Sequence, residues 1–234
     1  MRHLPRHVLL LVFVSAFSSM RSQEPSTFQV WVEETVATNI ADRWAGSVLF
    51  AEYFVSGSRE YTSVSVCPTV SYTIVPWLLA EAALFTEYAD QPDISNIMEI
   101  RPYIALRYTD VVNRLEPYLM LRQEFRNIYY VDSQTWEDQY RLRLRIGTRV
   151  AITDERIAPE SLYGIVEMEF FQNFDPAPKE YYNSRVRFHG GLGYRITDLW
   201  SGEIHYMVQQ SRSYSNQPFD SHDHILRFAV RKAF

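Results

Sequence analysis

The stretch Tyr140-Arg141-Leu142-Arg143-Leu144-Arg145-Ile146-Gly147-Thr148-Arg149-Val150 sorts its residues with a period of two. Arg141, Arg143, Arg145 and Arg149 fall on one side; Tyr140, Leu142, Leu144, Ile146 and Val150 fall on the other. A helix, with its 3.6-residue period, would mix these sets, whereas an extended strand keeps them apart. The charged side is too rich for a soluble core. Other segments repeat the pattern, and the chain ends on Phe234. A closed barrel with an apolar exterior and a polar lumen accommodates both faces and leaves no strand edge unpaired.

Working outward, the alternation continues through Thr62 to Ile74, Trp77 to Tyr88, Ile97 to Tyr108 and Leu115 to Arg126. Beyond the arginine stretch it resumes in Leu162 to Phe174, Arg185 to Ile196, Trp200 to Gln210 and His224 to Phe234. Phe28 to Val36 and Trp44 to Val55 alternate less cleanly. Each segment matches the roughly 9–11 residues that cross a membrane at a tilt. About eleven segments can be counted, but bacterial single-chain barrels have even numbers of strands. The expectation is therefore an all-β, antiparallel up-and-down transmembrane barrel of ten strands, with twelve as the alternative. Pro68, Pro102 and Pro117 fall inside strands, where they are expected to mark bulges or the membrane rim.

The N-terminus reads as an export signal over residues 1–22. Arg2 and Arg6 precede the apolar run Val8 to Phe17, and Ser18 to Ser22 suits cleavage. The run is about half the roughly 20 residues of a spanning helix. Cleavage would remove Arg2, Arg6 and Arg21 and no acid, taking the formal charge from −5 to −8. Residues 23–234 then form a single acidic domain, which argues against nucleic acid as a partner. The mean hydropathy of −0.23 suits a barrel in which only alternate residues meet lipid. Aromatic residues make up 15%, enough for interfacial girdles, and the lone Cys67 excludes an internal disulfide framework. No cofactor or metal is expected.

The terminal Leu226-Arg227-Phe228-Ala229-Val230-Arg231-Lys232-Ala233-Phe234 resembles the last-strand signal of Gram-negative outer-membrane barrels. The resemblance implies that Phe228, Val230 and Phe234 are read by the barrel-assembly machinery. Lys232 departs from the signal by placing a charge outward. The chain also resembles an uncharacterised, porin-like family of outer-membrane barrels known only as a domain of unknown function. The features concerned are Trp31-x-Glu33, the Asp42-Arg43-Trp44 turn, the Glu/Arg-rich hairpins and the terminal Phe. The resemblance implies the Gram-negative outer membrane as location, and brings no activity with it.

Inward charges alternate in sign between neighbouring strands: Arg141, Arg143, Arg145 and Arg149, then Glu167 and Glu169, then Arg185, Arg187 and Arg195, then Glu203, then Arg227 and Arg231. Cross-strand pairs follow. They either neutralise one another in a filled lumen or form a constriction that selects solutes, with the arginine wall favouring anions. Ser221-His222-Asp223-His224 holds catalytic residue types, but a triad requires a spatial arrangement that sequence adjacency does not supply. His189 and His205 face the lumen on adjacent strands and are expected to bond Glu167, Glu169 or Glu203. Cys67, among Ser and Thr, is expected to be inert.

A passive channel for small solutes is the first expectation. The alternative is a structural or binding barrel with an ion-paired, filled lumen. An outer-membrane hydrolase comes last, because the outward positions are almost uniformly apolar and no catalytic residues are assigned.

Overall fold

The computed structural model describes residues 26–57, 60–92, 95–174, 184–212 and 221–234. The export signal expected over residues 1–22 lies outside these, as do the connections at 175–183 and 213–220. Eleven strands follow one another: β1 (Ser26–Ala41), β2 (Trp44–Gly57), β3 (Tyr61–Val75), β4 (Leu78–Asp90), β5 (Ile97–Thr109), β6 (Leu115–Tyr130), β7 (Thr135–Ala151), β8 (Ser161–Asn173), β9 (Ser184–Arg195), β10 (Trp200–Arg212) and β11 (Ser221–Ala233). Each pairs antiparallel with the next, and β11 returns to β1 to close the barrel.

The count is eleven rather than the expected ten or twelve. An even number is required only if every pair is antiparallel. Here β1 and β11 run parallel, from Ser26↔His222 to Ala37↔Ala233, so an odd meander closes without an edge. Parallel ladders are slightly weaker per residue but satisfy the backbone equally. The Phe234 amide adds a bond to the Ala37 carbonyl at 2.9 Å. The first strand, whose alternation is the least clean, is therefore a full member of the wall.

The prolines do not mark bulges. Pairing of β3 with β4 passes from Val66↔Thr86 to Thr69↔Ala83 across Pro68 without a slip. Pairing of β5 with β6 likewise passes from Ile100↔Asn127 to Tyr103↔Glu124 across Pro102. Pro117 pairs with Thr148 within the ladder. The register shifts lie elsewhere, between Asn39 and Ala41 and between Thr73 and Val75, beside two-residue turns. These turns define the turn end of the barrel, opposite the loop end.

The distribution of side chains is inverted relative to a soluble protein. Glu124 and Glu169 are fully buried, while Ile104 is 60% and Val64 56% exposed. Period-two strands bent into a ring put one parity inside and the other outside, and the charged parity lies inside. Cross-strand aromatic pairs border the outer face. Trp44 lies tilted against Tyr72 (4.8 Å) and Trp77 against Tyr108 (5.9 Å) at the turn end, and Tyr129 against Trp136 (5.0 Å) towards the loop end. The outward Lys232 lies over the Trp200 and Phe234 rings, at 5.0 and 4.4 Å, and so keeps its ammonium at the aromatic border.

In β1 and β2 two outward carboxylates break the apolar pattern. Glu34 pairs with Phe50 and Glu52 with Val32, so both carboxylates share parity with the apolar exterior, and both are exposed. They explain why β1 and β2 alternate poorly in sequence.

Candidate functional site

The site is the lumen, and its densest part is built on β7. Arg141, Arg143, Arg145 and Arg149 share the inward parity, roughly 7 Å apart where they are two residues apart. On one side β6 offers Glu124, whose register partner is Arg141; on the other β8 offers Glu169, opposite Arg145. Arg141 Nη2 lies 2.5 Å from Glu124, and Arg143 Nη2 lies 2.5 Å from Glu169. Arg145 also donates to Glu169, and Arg187 Nη1 reaches it at 3.0 Å from β9. One carboxylate thus holds three guanidinium groups. In a poorly hydrated interior such charges persist only when hydrogen-bonded on several sides, and Glu169 meets that condition.

The same logic repeats nearby. Glu99 accepts from Arg101 Nε (2.5 Å) and Arg126 Nε (2.7 Å). Glu33 on β1 and Arg227 on β11 pair at 2.9 Å across the parallel seam. Glu203 accepts from Tyr163 at 2.9 Å, bonds His205 Nε2 at 2.9 Å and lies 3.6 Å from Arg149 Nε. Arg149 on β7 and Glu203 on β10 have two strands, β8 and β9, between them. They meet because β9 presents glycines there: a Cβ on Gly193 would lie 2.3 Å from the Tyr163 ring, which covers it. Gly147 plays the same part beneath Tyr118, whose hydroxyl donates to Glu167.

His189 and His205 stand edge to face with ring centroids 6.3 Å apart. His189 Nδ1 is 2.8 Å from Glu167, so the histidines sit against the carboxylates assigned to them from sequence. Glu167, Glu169 and His189 bring ligand-type atoms within 4.8 Å of one another. A cation there would compete with Arg143, Arg145 and Arg187 for the same oxygens, so the cluster fits an internal ion network better than a metal. The Ser221–His224 group is divided by the strand. Asp223 is buried inside, accepting from Thr27 Oγ1 (2.6 Å) and Gln209 Nε2 (2.8 Å), while His224 bonds Tyr206 Oη (2.7 Å) on the other face. Asp223 and His224 therefore lie on opposite faces of the strand and do not share a site.

A cavity of about 1200 Å³ occupies the lumen. Its lining includes Ser71, Thr197 and Trp200 at the turn end and Ser95, Asp132 and Ser133 at the loop end, so it extends from one end to the other. Among the described residues thirteen arginines and nine acids line it. Arg141, Arg143, Arg145, Arg149, Arg185, Arg187 and Glu203 are in the lining; Glu124, Glu167 and Glu169 are not, being sunk behind the guanidinium groups. The surface facing the cavity is therefore more cationic than the composition of the wall.

The lumen is not uniformly polar. Cys67, Tyr103, Ala105 and Met120 form a buried cluster with Leu49, Ala83 and Phe85 packed against it. Trp31 and Tyr53 stand edge to face at 5.1 Å. Phe171 carries three guanidinium groups near its ring, from Arg141 (5.3 Å), Arg143 (4.8 Å) and Arg187 (5.1 Å). The sequence reading overlooked Tyr118, Tyr163 and Phe171. Each shares parity with the inward charges of its own strand, which is the signal that marks it.

Phe228, Val230 and Phe234 project outward from or just beyond β11, with the last pairing to β1 rather than to an open edge.

No curated protein matches the chain. Among solved structures it is similar to the NanC porin, with a TM-score of 0.56 over 89% of this chain and 99% of that one, at 11% identity. At that identity the likeness is one of fold: this is a porin-like barrel. Residues 28–220 match the family described as protein of unknown function (DUF2490), and the chain belongs to that family.

Proposed function

We propose that the protein is a narrow passive channel of the Gram-negative outer membrane, admitting small solutes and favouring anions. The observation that carries this reading is the end-to-end cavity with its surplus of arginine over acid. Fixed cations in a poorly screened passage raise the local concentration of anions. The apolar exterior bordered by aromatic pairs suits a bilayer, with the short turns on the periplasmic side. Phe228, Val230 and Phe234 are the residues that the barrel-assembly machinery would read.

Refolded protein in a planar bilayer under a potassium chloride gradient tests the reading. A steady conductance whose reversal potential moves towards that of chloride is expected. A correctly folded barrel that carries no current would overturn it.

A second reading, a filled ion-paired barrel, is favoured by the burial of Glu124 and Glu169 within arginine clusters. It expects a silent wild type that begins to leak when one of those arginines is truncated.

A further inference from the structure

We infer that the solutes selected by this lumen are small organic monoanions with an apolar body, such as aryl or alkyl carboxylates. The inference rests on the channel reading and adds the class of solute. In the strand order of the ring, β2–β4 stand opposite β7–β9. One wall therefore carries the arginine series and the other carries Leu49 and Phe85, packed on the buried Cys67 and Tyr103, with the Arg101 guanidinium 4.3 Å over the Phe85 ring. Both walls line the same cavity.

A lumen built only to pass hydrated inorganic ions has no use for an apolar wall, because keeping such surface wet is unfavourable. A solute that covers it gains that free energy back. The cationic wall supplies the complement. The Arg149 side chain is 41% exposed, the most accessible member of the series. Its carboxylate neighbour Glu203 is already engaged by Tyr163 and His205. A carboxylate passing along β7 would meet successive guanidinium groups while its apolar part slid along β2–β4. On β9 the Arg187 guanidinium lies 4.8 Å from the Trp31 ring of β1 and 5.1 Å from the Phe171 ring of β8.

The test is block of the chloride current through the full-length mature protein by phenylacetate, gluconate or phenylacetamide added to one side. Phenylacetate is expected to block at a concentration about tenfold below that of gluconate, from burial of its ring, and phenylacetamide to block weakly or not at all. Leu49→Thr, alone or with Phe85→Thr, is expected to bring the phenylacetate-to-gluconate ratio towards one in barrels that retain heat-shifted gel mobility. Equal block by phenylacetate and gluconate, with chloride preference intact, would overturn the inference and leave the channel standing. Equal block by phenylacetate and phenylacetamide would also overturn it, by removing the anion. Absence of any current would overturn both readings.

Discussion

Arg143 donates to Glu169 at 2.5 Å across the β7–β8 ladder, and Glu169 is fully buried while holding Arg145 and Arg187 as well. The relationship is unequal. Each arginine has one main carboxylate, but the carboxylate has three cations. Removing its charge strands all three, so Glu169→Gln is expected to cost about 3–5 kcal/mol. Arg107 and Glu81 pair at 3.0 Å with the arginine 36% exposed, and Glu81→Gln is expected to cost less than about 1 kcal/mol. Urea unfolding in vesicles distinguishes these outcomes. Equal losses would mean that the lumen is hydrated enough to screen Glus and arginines alike.

The outer face carries a second prediction. Glu34 sits near the middle of β1 on the apolar exterior, opposite Phe50. Acids on that face cost less than the roughly 2–4 kcal/mol of a basic residue at the bilayer midplane. Glu34→Leu is therefore expected to stabilise the barrel in lipid by about 1 kcal/mol. Leu144→Arg, on the outward parity of β7, is expected to lose about 2–4 kcal/mol and impair assembly. Both follow from refolding yield and unfolding midpoint in vesicles. A Glu34→Leu variant that is less stable than wild type would show that the carboxylate has a polar partner in the membrane.

How far the fold could be read from sequence follows from the same parity. In β3 to β11 every alternating segment keeps the inward and outward sets assigned to it, because one slip would turn the whole charged set onto the apolar face. The first two strands were hard to read because Glu34 and Glu52 point out while Leu49, Ala51 and Val55 point in. The strand number is one away from the expected ten or twelve because evenness follows from antiparallel closure, and the β1–β11 seam is parallel. The alternating signs of neighbouring strands indicated that pairs would form. They do not indicate that Glu169 gathers three arginines or that Glu203 meets Arg149 across two intervening strands. Those depend on side-chain reach and on Gly191 and Gly193 clearing space, which parity alone does not carry.

The glycines yield a third prediction. A Cβ at position 193 would fall 2.3 Å from the Tyr163 ring, and the ring is anchored by its hydroxyl on Glu203. Gly193→Ala must displace the ring and its bond, at an expected cost of about 1–3 kcal/mol. In the background of Tyr163→Ala the same change should cost little, because the clash is gone. A double-mutant cycle on unfolding free energies measures the coupling. Additive effects would show that the ring is not held over the glycine.

The final prediction concerns charge selectivity, and the geometry decides which arginine to change. Arg143 and Arg145 both serve Glu169, so reversing them alters the fold together with the field. Arg149 is the better probe, with 41% of its side chain exposed and Glu203 at 3.6 Å its nearest acid. Arg149→Glu changes the cavity charge by two units and adds a carboxylate near Glu203. The reversal potential in a potassium chloride gradient is expected to shift towards potassium, with Arg149→Gln intermediate. Because the effect acts through the field in the passage, it should shrink as salt rises from 0.1 M to 1 M, where the screening length falls from about 10 Å to about 3 Å. If reversing Arg149 leaves selectivity unchanged at low salt while the barrel remains folded, the passing ions do not sense this wall, and the anion preference assigned to the arginine series fails.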